Sequence, residues 1–332
     1  MKIAINGLGR VGRLFLRAAL DAELDVVAVN EPDGDPEGLA LGVQFDSVQG
    51  RFARDVRAAG SRLCVGAASI DVLQEPAFEG LPWRELGVDL VVDCSGAAKQ
   101  LDRAQVHVDR GARQVLVSNP VQGVPNLVYG VNHRQYDLAA HPIVTAASCT
   151  TNCLAPVVRV LHDAIGIERG AVTTLHAPTN TQVVVDRPHK DPRRARSALL
   201  NLIPTSTNSA SAVTLIVPEL AGRLDSVAVR VPVLNASLTD CAFHMQRETT
   251  VEEVHAAIRV AAEGPMAGVL GLEERPLVSS DYANDARSGV VDAGCTRVVD
   301  GRLLKVMIWY DNEWGYANRM KDLARCIQAA HA

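Results

Sequence analysis

The opening stretch constrains this chain more than any other. Lys2-Ile3-Ala4-Ile5-Asn6 reads as a strand and Gly7-Leu8-Gly9-Arg10-Val11-Gly12 as a glycine turn, after which Val11, Leu14, Phe15 and Ala18 share one helical face. Strand, G-x-G-x-x-G turn and helix in that order open a doubly wound, dinucleotide-binding α/β domain. Gly7 permits the tight turn, Gly9 lets a pyrophosphate approach the backbone, and Gly12 lets helix and strand pack closely. The phosphates then face the free N–H groups of the helix start. A second strand over 25–29 ends in Asn30-Glu31, 19 residues beyond Gly12. An acid there accepts from both ribose hydroxyls and repels a 2′-phosphate, so NAD is favoured over NADP. Strands over 89–93 and 114–117 run into Cys94-Ser95-Gly96 and Ser118-Asn119-Pro120. Ligands gather beyond the carboxyl ends of such parallel strands, which makes both loops cofactor-facing.

The chain has 332 residues, too many for one typical core, so a second domain is expected. The formal charge of -5, with no long basic run, argues against a nucleic-acid partner. No stretch is long and apolar enough to cross a membrane. Seven cysteines, an odd number scattered along the chain, fit a reducing compartment better than a disulfide framework. The expected location is the cytoplasm.

Ala147-Ser148-Cys149-Thr150-Thr151-Asn152-Cys153 carries the chemistry. Leu154, Val157, Val158, Leu161 and Ile165 follow with helical spacing, so Cys149 should stand at a helix N-terminus. The partial positive charge there stabilises an anion, and the thiol is expected to be acidified and nucleophilic. Cys153, one turn further, reads as a buried small hydrophobe. The C-x3-C spacing lacks the further ligands a zinc site needs, and no metal is expected.

Farther on, a strand over 171–175 ends in His176, a candidate base and then acid for the Cys149 thiol. The stretch 179–208 is polar and basic, including Arg193, Arg194, Arg196, Thr205, Thr207 and Asn208. Hydroxyls and guanidinium groups suit a phosphate monoester as well as they suit a solvated loop. Arg230 follows a strand over 226–229. A strand over 305–310 leads into a turn over 311–316, where the carboxamide of Asn312 matches that of nicotinamide in hydrogen-bonding capacity. Met320, Leu323, Ala324 and Ile327 mark a terminal amphipathic helix.

Ile5 to Arg13, Ser148 to Pro156, Pro188-His189-Lys190-Asp191 and Trp309 to Arg319 together resemble, in order, the signatures of phosphorylating glyceraldehyde-3-phosphate dehydrogenases. The resemblance covers essentially the whole chain. It implies an α/β fold: a Rossmann NAD-binding domain over 1–148, an α+β catalytic domain with a mixed sheet over 149–312, and a C-terminal helix over 313–332 returning to the first domain. It also implies a homotetramer and a role in glycolysis. Cys149, assisted by His176, would attack glyceraldehyde 3-phosphate to form a thiohemiacetal. Hydride transfer to NAD would leave a thioester, which inorganic phosphate cleaves to 1,3-bisphosphoglycerate. By position, Thr179, Arg196 and Arg230 match the substrate-phosphate site, and Ser148, Thr150, Thr207 and Asn208 the inorganic-phosphate site. Gly7, Gly9, Arg10, Val11, Gly12, Glu31, Ser95, Gly96, Ser118, Asn312 and Tyr316 match cofactor positions.

Four residues depart from the common glycolytic pattern: Glu31 for aspartate, Asn119 for alanine, Thr181 for aspartate and Asn208 for glycine. Glu31 resembles erythrose-4-phosphate dehydrogenases, and an inhibitor-resistant paralogue is a further alternative. The segments over 179–182, 235–241 and 273–279 are similar to homologues associated with arsenic-resistance operons. There arsenate replaces phosphate and yields 1-arseno-3-phosphoglycerate. A purely non-catalytic binding role fits poorly with a full set of nucleophile, base and cofactor residues.

Overall fold

A computed structural model describes residues 1–135 and 141–331. They fall into two compact units, Met1–Ser148 with Ala317–Ala332, and Cys149–Tyr316.

The first unit is built on an eight-stranded sheet. Ile3–Asn6 pairs in parallel with Val26–Asn30 on one side and with Leu90–Asp93 on the other. Gln114–Val117 and Ile143–Thr145 continue the parallel run. The chain winds outward in both directions from Ile3–Asn6, so a crevice opens beyond its carboxyl end. Ile3, Ala4 and Ile5 are fully buried, as central parallel strands covered on both faces must be. At the other edge are three strands not expected from the sequence: Ala68–Leu73 joins Val26–Asn30 in parallel, and Arg62–Val65 and Val56–Ala58 then add antiparallel. Their alternation is short and half-exposed, a weak signal beside the apolar central strands.

The second unit carries the expected mixed sheet. Ile167–His176 pairs in parallel with Leu224–Arg230 and antiparallel with Ser237–Met245, which pairs antiparallel with Leu303–Tyr310. Leu154, Val157, Val158 and Leu161 are completely buried along helix Cys149–Ala164, the face that the helical spacing assigned to the core.

Two element boundaries differ from the sequence reading. Arg230 is the last residue of its strand rather than the first beyond it. The terminal helix starts at Trp314, so the turn after Tyr310 is only three residues long. Asp311 is the reason: its Oδ1 accepts the backbone N–H groups of Glu313 and Trp314 at 2.9 and 2.8 Å and caps the helix early. Among the described residues, no helix is long and apolar enough to cross a membrane.

Candidate active site

Strand register assembles the reactive groups of the second unit. Val172, Thr174 and His176 point to the same buried side of Ile167–His176, and only the last reaches the strand end. Its register partner on the neighbouring parallel strand is Arg230. Cys149 is the first residue of its helix. Its Sγ lies 3.5 Å from His176 Nε2 and 3.9 Å from Thr150 Oγ1. Thr150 in turn bonds the buried Tyr310 hydroxyl at 3.0 Å, and the Tyr310 ring stands edge-on to His176 with centroids 6.2 Å apart. Two residues before Cys149, Ala147 has φ +56°, an unfavourable backbone for a residue with a Cβ.

The other ring nitrogen of His176 has two close neighbours. Nδ1 is 2.6 Å from the Ala177 carbonyl oxygen and 2.6 Å from Nη1 of Arg230. One nitrogen cannot donate to the carbonyl and accept from the guanidinium at once. With the proton on Nδ1, Nε2 is a free acceptor facing the thiol. With the proton on Nε2, Nδ1 accepts from Arg230. Only the first tautomer can take the thiol proton at Nε2, and the imidazolium so formed keeps its Nδ1–H on the Ala177 carbonyl.

Burial changes the electrostatic expectation. The Cys149 thiol was expected to be acidified. Instead burial pushes it above its ordinary value, against the lowering effects of the Thr150 hydroxyl, the Arg230 charge and nearby backbone N–H groups. The helix start favours the thiolate, but the loss of water on burial outweighs it. Burial, reinforced by Arg230, pulls His176 down to about 4. Each ionisation alone is therefore opposed. Proton transfer from Sγ to Nε2 is a different event, because it creates opposite charges 3.5 Å apart whose attraction offsets desolvation. Cys153 is fully buried and pushed well up, in keeping with a packing residue.

The anion candidates divide into two groups. Arg230 is half-buried, and its Nε is enclosed with no hydrogen-bond partner among the described residues, an N–H ready for an anion. Thr179 is exposed and clustered with Thr181 and Gln182 through Oγ1 contacts of 3.1 Å each. Arg196 does not join Arg230: its guanidinium pairs with Asp186 at 2.7 Å and its side chain is 63% exposed. Arg194, two residues earlier, is placed differently. Its Nε bonds Thr205 Oγ1 at 2.7 Å, and its charge bears directly on Arg230. Both arginines lie in one basic run, and only the path of the loop separates them. Thr207 bonds Ser209 at 2.7 Å, and exposed Asn208 stands just before helix Ser209–Ile216 without a side-chain cap bond. Ser148 is half-buried. Asn312 is anchored by Ser237, whose hydroxyl donates to its Oδ1 at 2.8 Å, and Tyr316 is buried.

The first unit fits a dinucleotide at its glycine turn. Gly7 has φ +89°, and a Cβ there would stand 2.6 Å from the Ser95 backbone. A Cβ on Gly12 would stand 2.0 Å from the Gly7 carbonyl oxygen, so helix and turn touch. Nothing lies within 4 Å of a Cβ built on Gly9, so that glycine faces open space, where a pyrophosphate can approach the backbone. Arg10 and Val11 open helix Arg10–Asp21, with Arg10 paired to Asp46. Glu31 Oε2 accepts the Leu8 N–H at 2.8 Å, a bond that the longer side chain makes possible and that ties the acid to the turn. The Ser95 hydroxyl donates to Asp93 at 2.8 Å and accepts from the Ala97 N–H at 3.1 Å, so its proton is already committed. Gly96 has φ +69°, and the Ser118 N–H donates to the Asp93 carbonyl at 2.8 Å.

Residues 1–101 match the family model described as glyceraldehyde 3-phosphate dehydrogenase, NAD binding domain, and residues 148–312 match that of the C-terminal domain. The chain is 50% identical over 330 residues to glyceraldehyde-3-phosphate dehydrogenase 3 of Nostoc sp., covering 98% of each. It is 46% identical over 329 residues to glyceraldehyde-3-phosphate dehydrogenase of Geobacillus stearothermophilus, again covering 98% of each. It is also 48% identical over 330 residues to glyceraldehyde-3-phosphate dehydrogenase 2 of Streptomyces arenae, with the same coverage. With both family models matched in order and relatives aligned along nearly the whole chain, this chain belongs to the glyceraldehyde-3-phosphate dehydrogenase family, whose members are NAD-dependent oxidoreductases.

Proposed function

We propose that the chain oxidises glyceraldehyde 3-phosphate through covalent catalysis at Cys149, with NAD as hydride acceptor and an inorganic oxyanion as second substrate. The observation that carries this reading is the 3.5 Å approach of Cys149 Sγ to His176 Nε2 beside the half-buried Arg230 guanidinium.

His176 takes the thiol proton, and sulfur attacks the aldehyde carbon. The imidazolium returns that proton to the carbonyl oxygen, giving the thiohemiacetal, and the neutral ring then takes the hydroxyl proton as the carbon–hydrogen bond breaks. NAD, when bound, supplies the acceptor for that hydride. Gly7, Gly9, Arg10, Val11, Gly12, Glu31, Ser95, Gly96 and Ser118 would hold it, along with Asn312 and Tyr316. The resulting Cys149 thioester retains the oxidation energy until the oxyanion attacks its carbonyl carbon, releasing the acyl anhydride and the sulfur. Arg230 and Thr179 would hold the substrate phosphate, and Ser148, Thr150, Thr207 and Asn208 the attacking oxyanion. Arg194, rather than Arg196, is the second guanidinium of this machinery. Replacing Arg194 by alanine should raise KM for an anionic substrate about tenfold or more, the scale of losing a charge-assisted hydrogen bond. Arg196→Ala should change it by less than about twofold, as for an exposed ion pair. Steady-state kinetics with phosphate and aldehyde varied in turn decide this, and the reverse ranking would return the role to Arg196.

The second substrate is proposed to be arsenate in the specialised reading. The side-chain cluster of Thr179, Thr181 and Gln182 contains hydroxyls and an amide but no carboxylate, a setting favourable to tetrahedral anions. NADH formation with phosphate and arsenate in turn tests it. The specialised reading requires kcat/KM for arsenate to equal or exceed that for phosphate. A clear preference for phosphate leaves the glycolytic reaction, and turnover of erythrose 4-phosphate above glyceraldehyde 3-phosphate would favour the alternative substrate. Assembly into a homotetramer is part of the proposal, supported by Leu200, Leu202 and Leu234, which are 85, 68 and 69% exposed. A cytoplasmic setting is supported by seven cysteines that are all free thiols.

A further inference from the structure

Beneath the glycine turn lies a buried polar network that the sequence motifs do not mention. His107, on helix Leu101–Asp109, is completely inaccessible, as are Trp83 and Asp93. Trp83 Nε1 lies 3.0 Å from His107 Nδ1. An indole N–H can only donate, so Nδ1 is an acceptor and the proton of the neutral ring is on Nε2. Nε2 points at Asp93 Oδ2, 2.9 Å away. Phe78 stacks on the imidazole with centroids 4.7 Å apart and holds its plane.

Asp93 distributes this support. It is the last residue of strand Leu90–Asp93, and its Oδ2 also accepts from Asn6 Nδ2 at 2.8 Å. Its Oδ1 accepts the Ser95 hydroxyl at 2.8 Å and the Ser95 N–H at 3.2 Å. Asn6 Oδ1 accepts from Asn30 Nδ2 at 2.8 Å, which brings in the end of a third strand. Three parallel strand ends are thus joined directly under Gly7, Glu31 and Ser95. The Ser95 backbone occupies the space where a Gly7 Cβ would stand. A shift of Ser95 therefore changes the opening into which the turn presents its N–H groups.

We propose that His107 is a positioning residue of the cofactor cradle: with its proton held on Nε2 by Trp83, it orients Asp93, and Asp93 orients Ser95. The proposal rests on the NAD reading of this cradle. Its specific claim is that the hydrogen-bonding direction of a remote imidazole governs cofactor affinity, while the chemistry at Cys149 does not depend on it.

His107→Phe in the full-length protein keeps a stacking ring and removes both nitrogens. NAD titration and steady-state kinetics should show Kd and KM for NAD raised about tenfold, with kcat at saturating NAD and KM for the aldehyde within about twofold of the parent. His107→Gln offers an amide N–H to Asp93 and an oxygen to Trp83, and should recover most of the loss. Lower thermal stability with unchanged NAD affinity would reduce His107 to a packing residue and overturn the proposal. So would a His107→Gln protein as impaired as His107→Phe. If His107→Phe does not fold, Trp83→Phe releases the Nδ1 constraint and should weaken NAD binding by a smaller factor. Unaltered binding there overturns the proposal equally. Failure of the parent protein to bind NAD would instead defeat the reading of the cradle.

Discussion

Cys149→Ser is expected to lower the rate of NADH formation by on the order of 10⁴-fold or more while leaving NAD affinity within about twofold, since only the covalent step is removed. A serine hydroxyl at this position would meet the same base but gives up its proton far less readily than a thiol. Sulfur is the better nucleophile, and its proton need travel only to His176 Nε2, 3.5 Å away. Single-turnover measurements with excess enzyme would detect the acyl intermediate in the parent and its absence in the variant. A variant that retains more than about one per cent of the parent rate would remove the covalent mechanism from consideration.

His176→Asn is expected to lower kcat by roughly 10²- to 10⁴-fold, the usual contribution of a general acid–base group. The carboxamide can still hydrogen-bond but cannot take the thiol proton. Alkylation of Cys149 gives an independent readout. Burial pushes this thiol up, so without its base the pH at which alkylation becomes fast should move to a higher value, and the rate near neutrality should fall. The sign follows from the acceptor: His176, itself held low by burial and Arg230, is neutral near pH 7 and available to receive the proton. An unchanged alkylation profile would show that the helix start and Arg230 activate the thiol without the imidazole.

Local patterns were legible wherever one physical requirement dominates a few adjacent residues. The glycine turn is one such place: a Cβ on Gly12 would strike the Gly7 carbonyl at 2.0 Å, so spacing and contact state the same requirement. The position of Cys149 is another, since helical periodicity after it placed it at a helix start, where it stands. Arg194 and Arg196 show the limit. They are two residues apart with the same chemistry, and only the loop's folded path turns one to Thr205 while the other pairs with Asp186. His107 was invisible for a related reason, because its partners Trp83 and Asp93 lie 24 and 14 residues away in sequence.

Order along the chain was enough to establish a nucleotide-binding α/β half, a cysteine at a helix start and the family that joins them. Tertiary structure alone decided the surroundings of the Cys149 thiol and its neighbours. Pairing Leu224–Arg230 in parallel with Ile167–His176 puts Arg230 beside His176, and burial then reverses the expected direction of the thiol's shift. A helix terminus is a local property and can be read from adjacent residues. Desolvation depends on everything packed around a group, and most of that comes from distant parts of the chain.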